Sequence, residues 1–281
     1  MRLTDAEIDA LLDEDLRFGD LTMRALGIGD RLGRITFAAR ADMILCGSEV
    51  AVRLLARLGA SVTFSASTGT RCAAGDLVLA AEGSASALHA GWKTAQTLME
   101  WASGVATLTQ LIVDAAKLAA PHISVHCTRK APPFTRRLAF QAVLAGGAEI
   151  HRLGLFDTVL LFDEHRVFLA RSGDLPSMIA RLRARAPERS IMVEVKTEDD
   201  AISAALAMAD VIQLERFSPG AVNAIAGQLK KRADGRPIIA AAGGITEKNA
   251  AAYARAGADV LVTSAPYYAR PADIQVRFAA A

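Results

Sequence analysis

The sequence predicts an α/β protein whose larger, C-terminal part is a parallel sheet covered by helices on both faces. Three observations carry this. Short apolar runs recur at residues 123–125, 158–161, 191–195, 211–214, 238–241 and 260–262. Stretches with helical spacing, 175–186, 199–208, 221–231 and 246–256, fall between the later runs. The strand candidates are apolar on successive residues rather than on alternate ones, the pattern of strands buried on both faces. Six such strands can close into a small barrel or stay open, and periodicity does not decide between these. In both arrangements ligands meet the carboxyl ends of the strands.

The first hundred residues read differently. Thr4 and Glu7 are spaced as a capping box at a helix start. Residues 33–40 alternate like a half-buried strand, and 48–58 has helical spacing with Ser48 as its cap. Residues 62–66 and 77–81 are short strands, with Ala74-Gly75-Asp76 as the turn between them. The Ala/Leu-rich stretch 87–119 carries Gly104 near its middle and reads as two helices or one bent helix. A boundary near residue 110 therefore separates an N-terminal domain, 1–110, from a sheet domain, 111–265. Residues 266–281 are left to pack back on the first.

Composition narrows the function. With 281 residues, 52% apolar and 22% charged, the chain is globular and long enough for an ample core. A formal charge of +2 and 5% aromatics lack the basic, aromatic-interleaved stripe of a nucleic-acid binder. The N-terminus has no apolar signal region, and no charge-free run is long enough to span a bilayer. Cys46, Cys72 and Cys127 are odd in number and widely spaced, as free thiols in a reducing cytosol would be. The expectation is a cytoplasmic protein acting on small molecules.

Polar residues gather at the predicted strand ends. The first strand runs into His126-Cys127-Thr128-Arg129-Lys130. The second is preceded by Gly146-Gly147 and His151-Arg152 and followed by Asp163-Glu164-His165-Arg166. Glu194-Val195-Lys196, Glu215-Arg216, Gly243-Gly244-Ile245-Thr246 and Thr263-Ser264 end the remaining four. Each alone has a plain structural reading: a tight Gly-Gly turn, a solvated Arg-Lys pair, or His122 and His126 sharing one strand face. Gly27 to Gly33 lacks dinucleotide spacing and follows no strand. Recurrence at the same end of six strands is what points to a site. The inventory suits a substrate rich in phosphate and carboxylate, with a divalent metal. Gly243-Gly244 before a predicted helix start at Thr246 reads as a phosphate cradle, and Thr263-Ser264 as a late-strand phosphate site.

Several of these residues also form an ordered set. Asp15-Leu16-Arg17-Phe18-Gly19-Asp20-Leu21-Thr22, Ser103-Gly104-Val105-Ala106-Thr107, Thr128-Arg129-Lys130, Gly146-Gly147, His151 through Asp157 and Gly243-Gly244-Ile245 follow one another along most of the chain. In that order they resemble quinolinate phosphoribosyltransferase, the nicotinate-nucleotide pyrophosphorylase family. The resemblance implies an N-terminal α/β sandwich with an incomplete parallel α/β barrel, and dimers or higher homo-oligomers with shared active sites. It implies transfer of ribose 5-phosphate from phosphoribosyl pyrophosphate to a ring nitrogen, with magnesium. By the same resemblance Lys130 contacts phosphoribosyl pyrophosphate, and Arg129, His151 and Arg152 hold an anionic acceptor. Glu194 and Glu215 face the metal and ribose hydroxyls. Gly243, Gly244, Thr263 and Ser264 hold the 5-phosphate, and Lys93 stands where a neighbouring subunit usually contributes an arginine.

The departures cluster on the acceptor side. Phe162 replaces a lysine, Glu164 an asparagine, Arg216 an asparagine and Lys196 an acid, a pattern similar to the family's molybdenum-transport-associated ModD branch. Phe162 implies an acceptor with one fewer anionic group or a more apolar ring. Two other readings remain open at this level: a lyase or isomerase on a phosphorylated metabolite, and a catalytically inactive nucleotide-binding protein linked to molybdate transport.

Overall fold

The computed structural model describes residues 3–169, 174–229 and 236–281. In chain order the first elements are α1 (Asp5–Leu16), α2 (Leu21–Leu26), β1 (Leu32–Ala39), β2 (Met43–Ile44), α3 (Ser48–Arg57), β3 (Ser61–Ser65), β4 (Arg71–Cys72), β5 (Leu77–Ser84) and α4 (Ala85–Ala119). Then come β6 (Ser124–Cys127), α5 (Arg136–Ala145), β7 (Glu149–Ile150), β8 (Val159–Leu161), α6 (Asp163–Arg166), α7 (Leu175–Arg185), β9 (Ile191–Val195) and α8 (Glu198–Leu206). The last are β10 (Val211–Glu215), α9 (Pro219–Leu229), β11 (Ile238–Ala242), α10 (Ala250–Arg255), β12 (Val260–Thr263) and β13 (Ile274–Ala280). The final two residues of the helix expected over 221–231 lie outside the described residues.

The chain divides into two compact units. The first comprises Met1–Gln110, Ala131–Gly147 and Pro266–Ala281. Residues 131–147 fall in this unit, whereas the boundary read from the sequence left them with the sheet domain. Their helix α5 buries Ala139, Phe140, Ala142 and Val143, and Gly146 is tight against the Ala106 carbonyl and Thr109. The sheet of this unit runs β13-β1-β5-β3, with β1 antiparallel to both neighbours. Ile35 and Phe37 of β1, Leu54 and Leu55 of α3, and Leu79 of β5 are fully buried in its core.

Helix α4 is one 35-residue helix, not two. The 103–107 stretch explains itself structurally. Ser103 Oγ accepts from the Cys46 amide at 2.9 Å and Thr107 Oγ1 from the Ile44 amide at 2.9 Å. A Cβ on Gly104 would run into the Arg270 carbonyl. Two hydroxyls and one missing side chain thereby satisfy and admit neighbouring backbone.

The second unit comprises Leu111–Lys130 and Ala148–Ala265. Its seven strands run β7-β6-β12-β11-β10-β9-β8, and the pairings are parallel throughout. This is the cyclic order of a barrel left open between the consecutive strands β7 and β8, which decides the question that periodicity could not. One strand, β7, is new: two residues are too few to leave a periodic signal. Side chains alternate across each strand. Val193, Val195, Ile212, Leu214, Ile239 and Leu261 form the helix-covered face and are all but fully buried. On the opposite face Met192, Val211, Ala240, Ala242, Val260 and Val262 form an apolar plug. Glu194, Gln213 and Glu215 continue that inner face toward the carboxyl ends, two residues at a time.

Local caps hold the helices behind the sheet. Asp174 accepts from the Ser177 amide at the start of α7, and Thr197 from the Asp200 amide at the start of α8. Asp199-Asp200 is therefore a capped helix start. No helix among the described residues is long and apolar enough to cross a membrane.

Candidate active site

The carboxyl end of every strand in the second unit delivers residues to one pocket of about 470 Å³. β6 supplies Thr128, Arg129 and Lys130; β7 supplies His151 and Arg152; β8 supplies Phe162 and Glu164. Glu194 comes from β9, Gln213, Glu215 and Arg216 from β10, Gly243-Gly244 from β11, and Thr263-Ser264 from β12. All the sequence-predicted site residues meet here except Lys93. That residue lies in the first unit on α4, exposed, with Nζ 4.0 Å above the Trp92 ring and 2.9 Å from Gln96 Oε1.

Four cations (Arg129, Lys130, Arg152, Arg216) face three carboxylates (Glu164, Glu194, Glu215). Arg152 is 9% exposed. Burial and the neighbouring Arg129 work against its charge, and Glu194 favours it. Arg129 Nε and His151 Nε2 are buried without a hydrogen-bond partner, which is costly unless a ligand completes them.

Gln213 is a pocket-lining residue that sequence reading missed, because a single polar residue inside an apolar run looks like an ordinary strand position. It is 5% exposed and stands in register with Glu194 on β9, donating Nε2 to Glu194 Oε2 at 2.6 Å. Its amide also lies close enough to His151 to favour the imidazolium, although no hydrogen bond of regular geometry joins them. Glu194 is pushed above the usual carboxylate range, first by burial and then by the charge of Glu215. Two carboxylates facing each other in this way suit a hard cation.

His151 is driven down to about 4, chiefly by burial, with His126 and Arg152 adding to it. It is therefore neutral at physiological pH and offers hydrogen bonds, not charge. The expected signature is in stability. The unfolded chain takes up a proton near 6.5 that the folded chain refuses until about 4. Stability then falls on the order of 3 kcal/mol as pH drops across that window. Urea unfolding of wild type and His151→Asn at pH 7, 5.5 and 4.5 checks this; parallel pH slopes for the two proteins would refute it.

The glycine pair is left-handed at both residues, φ 86° at Gly243 and 80° at Gly244. A Cβ on Gly243 would stand 2.6 Å from Arg216 Cγ and 2.9 Å from Glu215 Oε1, whereas one on Gly244 meets nothing within 4 Å. Two expectations change here. The helix expected from Thr246 begins at Ala250 and has only six residues, because Asn249 folds back to accept from the Thr246 amide and donate to the Gly244 carbonyl. The cradle thus consists of backbone and nearby cations, with no helix dipole behind it. Thr263 is 3% exposed, donates its hydroxyl to the Ile245 carbonyl at 2.7 Å and accepts from the Ala265 amide at 3.0 Å. Its hydroxyl therefore locks the turn to β12, while Ser264 is more open.

A larger apolar cavity, about 890 Å³, shares Arg152 with this pocket and runs along β8 and α7 past Leu155, Val159, Met178 and Leu182. It lacks the convergence of cations, carboxylates and glycine turn that chemistry on a charged substrate requires.

Comparison with known proteins agrees with this geometry. Residues 105–277 match the quinolinate phosphoribosyl transferase C-terminal domain and residues 20–103 its N-terminal domain. The chain is 47% identical over 255 residues to "Putative pyrophosphorylase ModD" of Rhodobacter capsulatus, covering 91% of this chain and 97% of that one. It is 30% identical over 275 residues to the carboxylating nicotinate-nucleotide pyrophosphorylase of Mycobacterium leprae, with 94% and 95% covered. The solved structure of NadC from Streptococcus pyogenes superposes with a TM-score of 0.87 at 26% identity, over 100% of this chain and 99% of that one. With both domain models matched in order and relatives aligned nearly end to end, the chain belongs to the quinolinate phosphoribosyl transferase family.

Proposed function

We propose that this phosphoribosyltransferase moves ribose 5-phosphate from phosphoribosyl pyrophosphate to the ring nitrogen of a heterocycle less anionic than quinolinate, releasing pyrophosphate. The supporting observation is the convergence of seven strand ends on one pocket that carries a left-handed glycine turn, four cations and a facing pair of glutamates. Loss of pyrophosphate leaves positive charge on the ribose and negative charge on the leaving group. Lys130 supplies fixed positive charge for the latter, an effect for which one group is commonly worth about 2.7–4 kcal/mol. Glu194, held by Gln213, and Glu215 face the ribose side.

Magnesium fits the same pair. No group of three or more metal-binding side chains occurs among the described residues, and magnesium is ordinarily held by one or two carboxylates together with substrate phosphates. When bound it would neutralise the pyrophosphate and raise its quality as a leaving group. On the acceptor side Arg129 and Arg152 are the remaining positive charges, since His151 is neutral and Phe162 brings an apolar ring. One carboxylate on the acceptor therefore finds a partner more readily than two. By family resemblance a second copy completes the site, with Lys93 of the partner subunit reaching it. Three buried free cysteines suit a reducing cytoplasm.

The test combines calorimetry with phosphoribosyl pyrophosphate and magnesium with pyrophosphate release across a panel of pyridine and purine mono- and dicarboxylic acids. Turnover with a monocarboxylate above that with quinolinate is expected. Absence of any binding heat rejects the reading, and tight binding without pyrophosphate release under every acceptor favours a nucleotide-binding protein instead.

A further inference from the structure

Arg216 is the first residue beyond β10, and its backbone is left-handed, φ 60°. Residues with a Cβ rarely take that conformation, asparagine and aspartate being the usual exceptions. Phe134 and Met208 are the other two non-glycine residues with positive φ among the described residues, and neither lines the pocket. The conformation is held firmly: the Arg216 amide donates to the Ala242 carbonyl at 2.8 Å, joining the ends of β10 and β11. Gly243 in turn has no room for a side chain because Arg216 Cγ and the Arg216 amide occupy it. The stem of Arg216 is thus packed on the glycine turn, which fixes where its guanidinium begins.

A short polar residue would make the same turn with less strain, so the backbone does not explain the arginine. Nor does an ion pair. Arg216 Nε lies 3.6 Å from Glu215 Oε1, beyond hydrogen-bond length, and the side chain is 84% exposed. Strain retained at a pocket wall is accounted for when the strained residue contacts the ligand.

We propose that Arg216 is a phosphate-binding residue, whose guanidinium meets phosphoryl oxygens of a group seated on the Gly243-Gly244 turn. A guanidinium presents paired N–H donors that match phosphoryl oxygens, which asparagine and lysine do not. The inference rests on reading the pocket as a phosphoribosyl pyrophosphate site, and the experiment separates the two.

Calorimetry with magnesium would measure Kd for phosphoribosyl pyrophosphate and, separately, for ribose 5-phosphate, in wild type, Arg216→Asn and Arg216→Lys; the ligand-free Tm is recorded for each. Arg216→Asn is expected to weaken binding by about tenfold or more, while its ligand-free Tm rises by about 2 °C or more as the left-handed strain is relieved. Arg216→Lys keeps the strain, so its Tm stays near wild type and its affinity is intermediate. Wild-type affinity in Arg216→Asn overturns the inference, as does a fall in its Tm, which would make the side chain structural. If wild type binds ribose 5-phosphate but not phosphoribosyl pyrophosphate, the proposed substrate fails and the ribose 5-phosphate comparison still decides the role of Arg216. If it binds neither, both are overturned.

Discussion

Gly243→Ala is expected to abolish measurable binding of phosphoribosyl pyrophosphate and to destabilise the protein by about 2–4 kcal/mol, from left-handed strain plus overpacking. The added Cβ would be 2.6 Å from Arg216 Cγ, 2.9 Å from Glu215 Oε1 and 3.0 Å from the Arg216 amide. The side-chain ends can give way, but the amide is tied to Ala242, so the turn itself must move. Gly244→Ala is the matched comparison. It meets nothing within 4 Å, so its stability loss is confined to the left-handed backbone, about 1–2 kcal/mol. Urea unfolding with calorimetry separates the effects: affinity near wild type in Gly243→Ala would sink the cradle.

Glu194→Gln should move activity and stability in opposite directions. Burial and Glu215 raise the pKa of this carboxyl above its ordinary value, so the folded state holds its proton more tightly than the unfolded state. The sign follows: this residue lowers stability as pH rises through that range and is a net burden at pH 7. A neutral isostere removes the burden, keeps an oxygen for Gln213 Nε2, and should raise Tm at pH 7. Turnover should fall about 10²–10³-fold, the range for removing one preorganised electrostatic group. Unchanged kcat with a higher Tm would leave Glu194 as a tolerated buried charge and nothing more.

Much of this site was legible in the sequence because polar residues interrupt apolar runs at fixed places. Arg129-Lys130, Glu194, Glu215 and Gly243-Gly244 each follow or end a strand that hydrophobicity alone marks. What escaped did so for physical reasons. β7 is two residues long and has no periodicity to detect. Residues 131–147 carry an ordinary amphipathic helix, and nothing in one helix states which core it joins. Gln213 matters through a cross-strand partner nineteen residues away, and register is invisible until strands are paired. Thr263 looked like a phosphate ligand by position, yet its hydroxyl serves the Ile245 carbonyl. The open edge of the barrel followed from strand order, a global property that local patterns do not encode.

That strand order also divides the pocket wall by how firmly each part is held. The glycine turn, Arg216 and Ser264 hang on β10, β11 and β12, which have ladder partners on both sides, whereas His151-Arg152 and Phe162-Glu164 hang on β7 and β8, the two margins with one neighbour each. A change at a margin disturbs one ladder; a change at the centre disturbs two. Under the proposed reading, the sugar-phosphate anchor stands on strands paired on both sides and the acceptor wall on the two once-paired margins. New acceptors can then arise by substitutions at Phe162 and Glu164 while the donor grip stays intact.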